Sequence, residues 1–353
     1  VNATLVDLDV RPIGPADTSA VIGLINTSLG GGPAGGYSPE FFAWKHQDNP
    51  FGRSAGLVAV HEGRIVGVRL FLRWQLEAAG EPVQAVRAVD TATDPEFQGR
   101  GIFRRLTLAL LEQLDEAAEA HLVFNTPNSN SRPGYLKMGW QPVGTLPVRL
   151  CPTRPISFLR GARAAARTTA GTTDAIGRPI TTKPLRRCHF ESARLVLDQR
   201  RPEIEELLAD ASRTDRLHTP LSIPYLSWRY AHAPELDYRA VTVEDGGRLA
   251  GAAFGRMRHR GGLSEFTVGD LLVRSGDRRA ARRLLTAVRR AGADHVAAHT
   301  APGTEAERAA AGAGYFVVPG NGVGLVANQR ARLRLPVLSP ASWRLSLGDL
   351  EVF

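Results

Sequence analysis

The segment Thr93–Arg105 reads Thr-Asp-Pro-Glu-Phe-Gln-Gly-Arg-Gly-Ile-Phe-Arg-Arg, and its chemistry is that of a phosphate cradle. Gly99 and Gly101 allow backbone N–H groups to approach an anion closely. A helix beginning near Ile102 aims its unpaired donors and the positive end of its dipole at the same point. One such helix-terminal interaction contributes only about 0.3–1 kcal/mol at an exposed site, so several donors must converge. The backbone of Gln98, Gly99, Arg100, Gly101, Ile102, Phe103 and Arg104 would supply them, with added charge from Arg100, Arg104 and Arg105. A glycine turn before a helix also serves as a plain connector, and an exposed helix face accounts for Arg104 and Arg105 equally well.

The surrounding elements are what would position such a cradle. Val83–Thr93 reads as a strand, and Arg104–Ala120 carries Leu106, Leu108, Leu110, Leu111 and Leu114 at helical spacing. Leu122–Thr126 then reads as a short apolar strand. Gln98-x-x-Gly101, placed after a strand and before a helix, resembles the acyl-CoA pyrophosphate loop of the GNAT acetyltransferase superfamily. Phe103 departs from that pattern, standing where the family usually has Gly or Ala, and its ring must turn away from the anion into the strand–helix seam. Asn128, and Tyr135-Leu-Lys-Met-Gly139-Trp140, resemble the same family's approach to its fourth helix and that helix's Tyr-x-x-x-Gly-Phe ending. The resemblance covers roughly Val10 to Leu150.

The resemblance implies acyl transfer from acetyl-CoA, or another short acyl-CoA, to an amine by direct attack. The edge N–H groups at Thr91, Ala92 and Thr93 would then polarise the acyl carbonyl and hold the pantetheine arm. Tyr135 would give its phenolic proton to the departing sulfur, and Asn128 would hold the pantetheine or order the turn before the helix. Deprotonating an aliphatic ammonium near pKa 10 costs roughly 4–5 kcal/mol at neutral pH, so a base or a water relay is expected. Asp90 on the central strand is one candidate. His46, the C-terminal carboxylate of Phe353 and water are others. Phe42, His46 and Asn49, following the glycine run Gly30–Gly36, are expected to recognise the acceptor, with the glycine run either a lid or an ordinary surface loop.

At 353 residues the chain has room for about two domains. No apolar stretch reaches membrane-spanning length and Val1–Asp9 lacks the order of a secretory signal, so a soluble, cytoplasmic protein without membrane partners is expected. The only cysteines, Cys151 and Cys188, lack metal-ligand spacing, so no metal site is indicated. The formal charge of +9 is accounted for by residues 149–201, where twelve Arg or Lys face three acids. That segment has few aromatics and no nucleic-acid-binding motif, which reads as a solvated basic linker rather than a nucleic-acid surface.

Residues 36–145 and 220–320 read as two copies of one unit. Trp44-Lys45-His46 recurs as Trp228-Arg229-Tyr230, and the strand–turn–strand of Val58–Gly67 recurs at Val241–Gly251. In the second copy only Arg274-Ser275-Gly276 follows the strand end Val273, Ala310 stands at the place of Tyr135, and Gly303 at that of Asn128. Trp44 keeps a counterpart where the loop is lost, which marks it as core. Asp90 also keeps one, Asp270, which weighs against a catalytic role for it. The expected architecture is an α/β fold of two tandem GNAT-like domains, each a mixed, mostly antiparallel sheet flanked by helices. Residues 1–150 would form the catalytic domain, 151–205 a basic linker and 206–353 a degenerate copy. The expected activity is N-acetylation of a small-molecule amine. Alternatives are protein or peptide lysine acetylation, aminoacyl transfer on a related tandem fold, and a non-catalytic acyl-CoA-binding module.

Overall fold

The apolar run Leu57–Val60 and the apolar alternation through Val66–Leu76 and Val83–Ala85 favour long strands. Two tight reversals, Glu62-Gly63 and Ala79-Gly80, join them with all four residues at positive φ. The computed structural model describes residues 8–29, 36–167, 190–210, 214–260 and 262–350. Much of the basic segment, most of the glycine run Gly30–Gly36, and Phe353 lie outside the described residues.

In chain order the elements are β1 (Asp9–Pro12), α1 (Thr18–Leu29), α2 (Pro39–His46), β2 (Ala55–His61), β3 (Arg64–Ala78), β4 (Glu81–Thr93), α3 (Ile102–Glu116), β5 (Leu122–Asn125), α4 (Arg132–Lys137) and β6 (Gln141–Pro152). They continue with α5 (Pro155–Arg167), β7 (Phe190–Ser192), α6 (Ala193–Gln199), α7 (Arg201–Ala209), α8 (Ile223–Leu226), β8 (Tyr238–Asp245), β9 (Arg248–Arg260), β10 (Leu263–Val273), α9 (Arg278–Val288), β11 (His295–Ala298), α10 (Glu305–Ala310) and β12 (Phe316–Gln329). Among the described residues, no helix is long and apolar enough to cross a membrane.

The chain groups into two units. The first takes residues up to Glu77, Glu81–Gly144 and Gly324–Ser342; the second takes Ala78–Gly80, Thr145–Val323 and the residues from Trp343 onward. In the first unit the strands run β1-β2-β3-β4-β5-β12, with β4 and β5 parallel and β12 contributing Val326–Gln329 antiparallel to β5. One face of this sheet, with Leu57, Val86 and Val123, is covered by Leu106, Leu110, Leu111 and Leu114 of α3. The opposite face, with Val58, Val68 and Leu70, is covered by Val21, Leu24 and Ile25 of α1 and Phe42 of α2. This is a mixed, mostly antiparallel sheet with helices on both faces.

In the second unit the strands run β6-β11-β10-β9-β8-β7, with β10 and β11 parallel and the other pairs antiparallel. Helix α9 buries Ala281, Leu284, Leu285 and Val288 beneath it. Within 151–205 the described residues form the end of β6, α5, β7, α6 and the start of α7, and β7 pairs with β8. Strand β12 flanks β5 in the first unit, while the Arg149–Pro152 stretch of β6 flanks β11 in the second.

Candidate functional site

The β4–α3 connection in the first unit is built from local rules. Asp94 caps a short 3-10 turn by accepting from the Glu96 N–H at 3.0 Å, and Gln98 Nε2 reaches back to the Thr93 carbonyl at 3.3 Å. Gly99 and Gly101 lie at φ +75° and +77°, in the left-handed region, and Gly101 is the N-cap of α3. No heavy atom lies within 4 Å of a Cβ built on either glycine, so backbone conformation rather than crowding selects them. Ile102 is buried in the core at the start of α3, and the first-turn N–H groups of a helix have no intrahelical carbonyl to bond. The Arg100 guanidinium lies 4.9 Å from the Phe97 ring centroid and donates to the Glu96 carbonyl, Arg104 is exposed, and Arg105 donates to the Leu8 carbonyl at 3.0 Å.

Beside this turn, β4 and β5 part company. Their parallel pairing runs only across Ala85–Arg87 and Leu122–Phe124, whereas β4 continues to Thr93. Within that continuation the Thr91 hydroxyl donates to the Val68 carbonyl and Ala92 packs in the α1-side core. The Thr93 carbonyl accepts from Ser28 Oγ and Gln98 Nε2.

Asp90 interrupts the strand with φ +39°. Its side chain joins a buried cluster on α2. Lys45 Nζ stands 2.7 Å and His46 Nε2 2.8 Å from Asp90 Oδ2, and the Tyr37 hydroxyl donates to Oδ1 at 2.7 Å. His46 Nδ1 lies 2.8 Å from Ser54 Oγ, and Lys45 Nζ donates to the Tyr37 hydroxyl at 2.9 Å. Burial alone would raise the Asp90 carboxyl; the Lys45 ammonium, then the hydrogen bond and charge of His46, outweigh it and hold the group far below the ordinary carboxylate range. Sequence reasoning set Asp90 and His46 as rivals, and the structure bonds them to each other. Tyr37, Lys45 and Ser54 were not anticipated; Lys45, one of three lysines in the chain, was the available signal.

The other expected acceptor residues have their side chains engaged elsewhere. Phe42 packs in the α1-side core and against the His46 ring. Asn49 donates to the Arg73 carbonyl at 2.7 Å and accepts from the Phe51 N–H at 3.0 Å, which fixes the turn after α2. Asn128 Oδ1 accepts from the N–H groups of Asn130 and Ser131 and from the Ser131 hydroxyl, ordering the entry to α4. Trp44 is buried against Phe41.

Tyr135 of α4 is 3% exposed. Its ring meets Phe103 edge-on at 5.5 Å and Trp140 at 5.2 Å. Phe103 turns into the seam between α3, α4 and the sheet, and a Cβ built on Gly134 would lie 3.0 Å from its ring. Phe103 therefore closes the helix seam instead of crowding the glycine turn.

Comparison with known proteins places this geometry. Residues 9–143 match a family profile described as an acetyltransferase (GNAT) domain. No curated protein matches. Among solved structures, a probable N-acyltransferase from Enterococcus faecalis superposes with a TM-score of 0.61 at 12% identity, covering 92% of this chain and 73% of that one. A GCN5-related N-acetyltransferase from Anabaena variabilis gives 0.59 at 13%, with coverage of 92% and 73%. Saccharomyces cerevisiae N-myristoyltransferase with bound myristoyl-CoA gives 0.54 at 13%, with coverage of 92% and 83%. The fold is that of the GNAT acyltransferases, and the domain match supports an N-acetyltransferase.

Proposed function

We propose that this protein transfers an acyl group, acetyl first among candidates, from CoA to a small-molecule amine by direct attack. The observation that carries the reading is the conjunction at the end of β4. The strand continues past its last β5 partner, Arg87, and at once meets two left-handed glycines and the open N-terminus of α3. Bound there, an acyl-CoA supplies an activated thioester. Gly99–Arg104 would hold its diphosphate through backbone N–H groups, and β4 beyond Arg87 would hold the pantetheine arm and polarise the carbonyl.

Tyr135 is the proton donor to the departing sulfur in this reading. Its support is position: it lies on α4, packed against Phe103 of the first turn of α3. Asp90 is an anchor for α2 and the β4 irregularity, not the base. A carboxylate holding three donors, with its proton affinity driven down by Lys45 and His46, is a poor proton acceptor. Of the other candidates named from sequence, His46 is engaged at both ring nitrogens and Phe353 lies outside the described residues; water is the acceptor of the amine's proton in this reading.

The second unit fits a copy that has lost the chemistry. Its β10–α9 connection is only residues 274–277, with Asp277 capping α9 by accepting from the Ala280 N–H. Asp270 is kept there and is buried against Tyr230, as expected of an architectural position.

Titration calorimetry with acetyl-CoA tests the cradle, and thiol release across an amine panel tests turnover. Tyr135→Phe should lower kcat by about 10²–10⁴-fold, the usual contribution of a positioned proton donor, with little change in acetyl-CoA affinity. Unchanged turnover would remove Tyr135 from the acid role.

A further inference from the structure

We infer that Arg69 of β3 is a positioning residue for proton donation by Tyr135. This inference rests on the proposed role of Tyr135. Arg69 is 0% exposed, and its guanidinium Nε and both terminal nitrogens have no hydrogen-bond partner among the described residues. Three aromatic rings surround it. The guanidinium carbon lies 4.7 Å from the Phe71 ring centroid, 5.6 Å from Phe103 and 5.4 Å from Tyr135.

A buried cation without a carboxylate or carbonyl on its fork is expensive, and contacts with three ring faces offset only part of that cost. An apolar side chain of similar length would fit the same aromatic surroundings at lower cost. The charge is therefore kept for something it does, and the group it faces that carries chemistry in this reading is the Tyr135 phenol. When Tyr135 gives its hydroxyl proton to sulfur, the acyl carbon–sulfur bond breaks, the carbon–nitrogen bond forms and an S–H bond closes. Negative charge is left on the phenol oxygen until solvent returns a proton. A fixed cation against that ring lowers the free energy of the charge as it develops and prefers it to the neutral phenol. The cage also ties together the parts that must act in concert, since Phe103 sits in the first turn of α3 beside the glycine turn, Tyr135 on α4 and Arg69 on the sheet. It gives Phe103, the departure from the expected loop pattern, a task that a small residue cannot perform.

For unit charges roughly 6 Å apart at an effective dielectric near 20, the interaction is worth about a hundredfold in rate, and partial charge development reduces this toward about tenfold. The test uses the full-length protein and thiol release from acetyl-CoA, with the fastest acceptor of an amine panel or with water if none is accepted. Arg69→Met should lower kcat by about ten- to a hundredfold, leave the KM for acetyl-CoA within about twofold, and leave the unfolding temperature equal or higher. Arg69→Lys should restore part of the rate. In the Tyr135→Phe background, Arg69→Met should cost nothing more. The inference is overturned by a normal kcat in Arg69→Met while Tyr135→Phe is slow, by rate and unfolding temperature falling together, or by an equal loss in the Tyr135→Phe background. Full activity of Tyr135→Phe alone would instead remove the acid role on which the inference rests.

Discussion

Asp90→Asn separates an anchoring carboxylate from a catalytic base. The Lys45 and Asp90 side chains are 3% and 9% exposed, and their charges meet at 2.7 Å. Asparagine keeps the size of aspartate and tolerates the left-handed φ of +39°, so the substitution removes charge without adding backbone strain. What remains is a buried ammonium without its counter-charge and a His46 ring without its acceptor, a situation that costs about 3–5 kcal/mol. For a unit of this size each kcal/mol shifts Tm by roughly 2–4 °C, so the first unit should melt on the order of 10 °C lower in scanning calorimetry. Lys45→Met added to Asp90→Asn should recover most of the loss, because the stranded charge is gone. The sign with pH is also fixed. Because the folded carboxyl is depressed, its contribution is present above the unfolded value of 3.8 and is lost as pH falls toward the folded one. The gap in Tm between wild type and Asp90→Asn should therefore be constant at neutral pH and shrink below pH 4. A variant that melts like wild type but has lost turnover refutes this account and returns Asp90 to the role of base.

Two further outcomes follow from positions already described. Gly101→Ala meets no steric obstacle but must hold φ +77°, a conformation costing about 1–2 kcal/mol for a residue with a Cβ; acetyl-CoA affinity by calorimetry should fall by about tenfold with α3 still folded. In the second unit, burial, and then the charge of Asp349, push the Asp270 carboxyl up to about 6. Its contribution is present below the unfolded value of 3.8 and is lost as pH rises through 6, up to about 3 kcal/mol, so Asp270→Asn should flatten that decline in a pH series of melting curves.

The parts of the molecule legible in sequence are those fixed by neighbours along the chain. The glycine turn and α3 are such parts, because a left-handed residue, a helix start and a leucine stripe are all local. The buried cluster is not. Strict alternation along β4 places Asp90 on the face of Val86 and Ala88, under α3. The left-handed residue at Asp90 shifts the strand's phase, so that Ala92 joins the α1 side and Asp90 reaches Lys45 and His46 on α2. A phase change of this kind has no composition signature at an aspartate. Phe42 and Asn49 read as acceptor contacts because aromatic and amide side chains near a glycine run suit a cleft; in the structure Phe42 packs in the α1-side core and Asn49 fixes the turn after α2. Arg69 gave no signal, since an arginine in a strand reads as exposed until its ring partners from β3, α3 and α4 are assembled.

The exchange of β6 and β12 has a consequence for biosynthesis. Asn125 of β5 waits for Val326, about 200 residues downstream, before its edge is paired. A ribosome delivering the chain from its N-terminus thus releases the cradle, Tyr135 and Arg69 long before the strand that closes their sheet emerges. Cutting the gene near codon 150 would yield a fragment with a bare sheet edge, prone to recruit a neighbouring chain, rather than a minimal enzyme.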